Sequence, residues 1–105
     1  MKIKKRKSGY SAETAYDYID VKKPVYSLST ELEEQNVFKD GKPTEEIDSY
    51  KAWFIQEDLP PFYVKFPNKI KLPEFLDVIE FDNLEACEIR YNVYFRAENV
   101  QSVGK

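Results

Sequence analysis

A short alternation fenced by prolines does most to constrain the fold of this chain. Phe62-Tyr63-Val64-Lys65-Phe66 puts Phe62, Val64 and Phe66 on one side of an extended backbone and Tyr63 and Lys65 on the other. Pro60-Pro61 precedes the run and Pro67-Asn68 follows it. A proline has no N–H to give to a ladder, so this is a bounded strand with one apolar and one polar face.

The remaining segments read the same way. Pro24 to Thr30 alternates, with Val25 and Tyr26 on opposite faces. Glu31 to Lys39 is polar and reads as a connection, and Asp40-Gly41-Lys42-Pro43 is a strong turn signal. Ile47 to Ile55 is a long strand carrying Tyr50, Trp53 and Phe54, and Ile70, Leu72, Pro73 and Phe75 make an apolar linker with room for one helical turn. Val78 to Ile89 is extended, with Ile79 and Phe81 inward and a bend or bulge at Asn83. Tyr91-Asn92 reads as a tight turn with Asn at positive φ. Val93 to Ala97 is the last strand, with Phe95 inward and Tyr94 and Arg96 outward.

Residues 1–20 have no clean period. Ser11-Ala12-Glu13-Thr14 can start a helical turn, but Tyr10, Tyr16 and Tyr18 are weak helix formers. The segment reads as an arm that adds at most an edge strand. Five or six strands, at most one short helix and no βαβ alternation give an all-β class. The architecture expected is a small antiparallel five-stranded OB-like barrel over residues 23–105, behind a partly ordered basic arm at 1–22. A chain of 105 residues makes one domain and buries roughly 60–70% of its unfolded surface.

Composition narrows the chemistry. With no histidine there is no imidazole base, no histidine relay and no histidine metal ligand. Cys87 is the single cysteine, lies in an apolar run and reads as a buried small side chain. The basic start, Met1 to Lys7, is followed by Ser8-Gly9-Tyr10-Ser11 in place of an apolar stretch, so it does not read as a signal peptide. No run is long enough to span a membrane, and the cytoplasm is the expected compartment. The acids Glu31, Glu33, Glu34 and Glu45, Glu46, Asp48 sit beside turn signals and read as solvated surface. Glycines are too scattered for a phosphate loop. No cofactor, metal site or catalytic residue is expected.

Charge and aromatic content become informative once divided by position. Residues 1–23 carry seven cations against Glu13, Asp17 and Asp20, a net of +4, so the stated total of −3 leaves −7 on the rest. Outward aromatics stand beside cations: Tyr63 with Lys65, Tyr94 with Arg96, and Trp53 with Lys51 on the long strand. Such a surface suits single-stranded nucleic acid, bases stacking on rings while cations follow phosphates. Duplex recognition calls for a helix or ribbon that this sequence does not offer. The basic arm, Lys4, Lys5, Arg6 and Lys7 with Lys2, is the further phosphate-contacting candidate. Trp53 reads either as core or as a stacking platform.

Asp40 to Ile47 leads into an aromatic strand, and Phe62 to Pro67, Leu72-Pro73-Glu74-Phe75, Val78 to Asn83 and Val93 to Val100 follow in that order. Over residues 38–101 this order resembles small proteins encoded by bacterial conjugative transposons and plasmids. That family includes a helicase-processivity factor likened to single-strand-binding proteins. More distantly, the order is similar to the OB-fold single-strand-binding proteins of filamentous phage. The resemblance implies an OB-like barrel and single-stranded DNA binding during transfer or replication of a mobile element. Tyr94 and Arg96 match an aromatic followed two positions later by Lys in the relatives' last strand.

The partners so expected are single-stranded nucleic acid and a helicase or other replication or transfer protein, with no membrane; an unpaired sheet edge would allow a homodimer. A different reading makes the acidic body an adaptor, or an inhibitor of a DNA-processing enzyme encoded by a phage or plasmid. A third, a carboxylate-dependent nuclease, predicts Mg²⁺-dependent cleavage lost in Asp48→Asn.

Overall fold

The computed structural model describes residues 9–103; Lys4, Lys5, Arg6 and Lys7 therefore lie outside the described residues. The elements run α1 (Ala12–Tyr18), β1 (Val25–Ser27), β2 (Glu33–Lys39), β3 (Lys42–Gln56), β4 (Phe62–Phe66), β5 (Val78–Asp82), β6 (Glu85–Ile89), β7 (Asn92–Arg96) and β8 (Asn99–Ser102). The protein is mostly β, as the alternation requires. No helix among the described residues is long and apolar enough to cross a membrane.

β3 is the organising strand. β4 lies along one edge, pairing Tyr50 to Phe54 with Phe66 to Phe62. The other edge carries β2 opposite Lys42–Lys51 and then β1 opposite Phe54–Gln56. β5 pairs with β1 and β8 with β5, while β7 pairs with β4 and β6 with β7. Apolar residues point to one side of these strands. Phe54 meets Phe81 and Phe66 edge-on at centroid distances of 4.8 and 6.4 Å, and Phe62 lies 5.2 Å from Phe95. Ala52, Val64, Ile79, Ala86 and Val100 fill the space between these rings.

Three expectations about the architecture are corrected. Among the described residues the sheet has eight strands rather than five, it is not closed into a barrel by hydrogen bonds, and β4 and β7 run parallel. The polar stretch taken as a connection is β2. Its ladder is fixed by the Asp40-Gly41 turn, where both residues have positive φ (52° and 75°), so it needs no buried apolar face of its own. β8 was missed because it is a short strand whose register is set by β5. Asn83, at φ +54°, interrupts the extended run between β5 and β6 as expected. The tight turn falls one residue early, at Arg90-Tyr91, and Arg90 takes the positive φ (57°) that was assigned to Asn92.

The segment expected to be an arm is also different. Residues 12–18 form a helix whose Ser11 cap accepts a hydrogen bond from the Thr14 N–H at 3.1 Å. Ser11 exchanges two backbone bonds of 3.0 Å with Ala86, which ties the helix start to β6. Ala15, Tyr18 and Ile19 are buried in the core, and Tyr18 donates its hydroxyl to the buried Glu88 carboxylate. Burial against β6 outweighs the weak helix propensity of the tyrosines. Beyond the helix, the buried Gln56 amide donates to the Asp20 and Lys23 carbonyls and accepts from the Asp20 N–H, at 2.7 to 3.0 Å. That fastens the α1–β1 link to the end of β3.

Candidate nucleic-acid interface

The outer face of β3, β4 and β7 carries two parallel rows of side chains, and the register builds both. Alternation gives β3 an outer set of Ser49, Lys51 and Trp53, β4 an outer pair of Tyr63 and Lys65, and β7 an outer pair of Tyr94 and Arg96. Trp53 is opposite Tyr63, and Lys51 is opposite Lys65. In the parallel pair Lys65 is opposite Arg96 and Val64 opposite Phe95, which leaves Tyr63 level with Tyr94. Trp53, Tyr63 and Tyr94 therefore form an aromatic row. Lys51, Lys65 and Arg96 form a cationic row one pleat away. With strands about 4.8 Å apart, each row spans about 10 Å.

Local contacts show how the rows are held. Trp53 and Tyr63 meet edge to face, with ring centroids 5.3 Å apart, and the Lys51 ammonium sits 4.8 Å above the Tyr63 ring. Trp53 donates its indole N–H to Glu33 at 2.7 Å. Arg96 gives its Nε–H to Glu85 at 2.9 Å, and its guanidinium lies 4.0 Å from the Tyr10 ring. Carboxylates thus close both ends of the cationic row: Glu33 is the register partner of Lys51 and Glu85 that of Arg96. Burial pushes the Tyr63 phenol above its ordinary value, with Tyr94 adding to the shift. Burial likewise raises Tyr10; Cys87 adds to the shift and Arg96 opposes it. Both rings stay neutral through the physiological range.

Six of the sequence-derived residues, Lys51, Trp53, Tyr63, Lys65, Tyr94 and Arg96, come together on this one face. Trp53 lies outside the core, half-buried beside Tyr63. Cys87 is buried, as its neighbours suggested. Two residues escaped the sequence reading. Tyr10 covers Arg96 from a segment read as arm, and only its aromatic character could have signalled it. Tyr91, 88% exposed at the tip of the β6–β7 turn, was passed over as a turn residue. That turn borders a cavity of about 310 Å³ lined by Trp53, Tyr63, Asn92 and Tyr94.

The acidic clusters occupy a separate place. β2 and the first part of β3 form a hairpin that runs past the end of β4, with six carboxylates against Lys39 and Lys42 over residues 33–49, a net of −4. Among the described residues no three acids or cysteines are grouped closely enough to hold a metal ion. No protein-family model, curated protein or solved structure matches the chain.

Proposed function

We propose that this chain is a non-enzymatic protein that binds single-stranded DNA across β3, β4 and β7. Bases stack on Trp53, Tyr63 and Tyr94, and the backbone phosphates follow Lys51, Lys65 and Arg96. The observation that carries this reading is the register of the cations. Lys51 faces Lys65 and Lys65 faces Arg96, and like charges directly opposite one another destabilise a sheet. A polyanion laid along the row relieves that repulsion, and the ring row beside it offers aromatic surface for bases.

Connectivity supports an OB-like reading of the fold. β1 and β2 follow one another along one edge of β3, β4 lies on the other, and β7 lies parallel to β4. β6 and β5, joined through Asn83 and Leu84, then lead back from β7 to β1. We read this as an OB-like path whose first and fourth strands are each broken in two, with β8 added beside β5. OB-folds bind oligonucleotides on their second and third strands and on the loops after the first and fourth. By position these are β3, β4, the Asp40-Gly41 turn and the Arg90-Tyr91 turn. A role in transfer or replication of a mobile element, beside a helicase, rests on the family resemblance.

Trp53 is the chain's one tryptophan, so its emission reports directly on the face. Titration with an unlabelled ~20-nucleotide oligo-dT at low salt should quench it to saturation. The absence of both quenching and an anisotropy change with a labelled strand would sink the proposal. The acidic hairpin favours a second reading, an adaptor that meets a basic partner; DNA-independent capture of a helicase or nuclease, lost when Glu45, Glu46 and Asp48 are neutralised, would select it.

A further inference from the structure

Past Lys65, the cationic row opens into a cavity of about 770 Å³ whose walls include Tyr10, Lys65, Arg96, Asp48, Ser49 and Glu98. That size falls within the range of small-molecule clefts. The polar groups here are set in contrasting ways. The Tyr10–Arg96 stack supplies a flat wall. Glu98 is held in place: its N–H donates to the Asp82 carbonyl, and its carboxylate accepts from the Asn83 amide, each at 2.9 Å. Glu85 is taken up by Arg96. Asp48, by contrast, makes no hydrogen bond or ion pair among the described residues and is exposed. Beside it, Ser49 is only 9% exposed and its hydroxyl has no hydrogen-bond partner among the described residues.

Building on the single-strand reading above, we infer that this cavity recognises a guanine base within the bound strand. A carboxylate only accepts hydrogen bonds, so it suits an edge with two adjacent donors. Guanine offers that edge, N1–H beside the N2 amino group. Adenine, cytosine and thymine each place a ring nitrogen or carbonyl acceptor next to their donor, which a carboxylate repels. Guanine also carries adjacent acceptors, O6 and N7, which Arg and Lys bind. Asp48, Lys65 and Arg96 line this one cavity and together supply both kinds of partner. Unstacked bases in single strands are commonly read in this way, by their edges and by a flat wall.

The test compares anisotropy titrations of labelled dT12 with the same strand carrying one central dG, or one deoxyinosine, which lacks the N2 amino group. The dG strand should bind roughly tenfold tighter than dT12, and deoxyinosine should lose most of that gain. Asp48→Asn should abolish the preference, read as the ratio of dG-strand to dT12 affinity within the variant. Equal affinity for all three strands, with dT12 bound, overturns guanine recognition alone. A dG preference that survives in Asp48→Asn overturns the assignment to this cavity. Failure of every strand to bind overturns the single-strand reading on which it rests.

Discussion

Trp53 and Tyr63 are cross-strand partners on β3 and β4 whose rings meet edge to face, with centroids 5.3 Å apart. The contact is half-exposed, so it stabilises the sheet only modestly, by about 0.5–1.5 kcal/mol. In the proposed interface the pair also serves as a platform for bases. Tyr63→Ala should weaken oligo-dT binding by about 1–3 kcal/mol, the cost of one lost base stack. Unfolding followed in parallel separates the effects: a binding loss no larger than the stability loss would remove Tyr63 from the interface.

Glu85 holds Arg96 at 2.9 Å in an exposed ion pair, an interaction worth about 0–1 kcal/mol to the fold. Under the proposed function it also competes with phosphate for that guanidinium. Glu85→Gln should therefore tighten DNA binding a few-fold at low salt and leave the melting temperature nearly unchanged. Weaker binding in this variant would mean that Glu85 positions Arg96 for the ligand instead of restraining it.

Arg90 sits at φ +57° in the two-residue turn between β6 and β7, a conformation that costs an L-residue about 1–2 kcal/mol. Arg90→Gly should relieve the strain and raise the melting temperature by roughly 4–8 °C per kcal/mol recovered. It should also weaken binding, because a cation leaves the edge of the face next to Tyr91. Gains in both stability and affinity would show that the turn lies off the track.

Tyr10 and Tyr63 have phenols raised above their ordinary value, burial being the first cause. In the unfolded chain both ionise near pH 10. Above that pH the unfolded chain gives up these protons before the folded one does, so stability falls as pH climbs through the folded values. The contribution is fully present at neutral pH. Tyr10→Phe with Tyr63→Phe should flatten the alkaline limb of a pH–stability profile measured by urea unfolding. An unchanged limb would assign it to other groups.

The strand faces were legible because period-two alternation is local. Phe62, Val64, Phe66 and Phe95 are buried, with Tyr63, Lys65, Tyr94 and Arg96 on the other side, as read from sequence. The Asp40-Gly41 turn was legible for the same reason, its positive φ values being written in residue type. Pairing partners were not. Nothing local says that β7 lies parallel to β4, yet this contact aligns Lys65 with Arg96 and turns isolated ring–cation pairs into two rows. Helix α1 was hidden because its stability comes from burying Ala15, Tyr18 and Ile19, against the propensity of its tyrosines. Tyr10 was hidden with it, since its place over Arg96 follows from the Ser11–Ala86 bridge. β2 lacked a signal because an exposed hairpin strand has no apolar face to display.

The central claim is that Lys51, Lys65 and Arg96 form one phosphate track. Each phosphate contact with a single strand contributes about −0.7 to the slope of log affinity against log salt concentration. The most direct test compares that slope for the intact chain and for the triple variant Lys51→Ala, Lys65→Ala, Arg96→Ala, using one labelled oligo-dT from about 50 to 200 mM salt. The account predicts a slope shallower by about 2 in the variant, whatever the N-terminal lysines contribute to both proteins. A slope that does not change would contradict it.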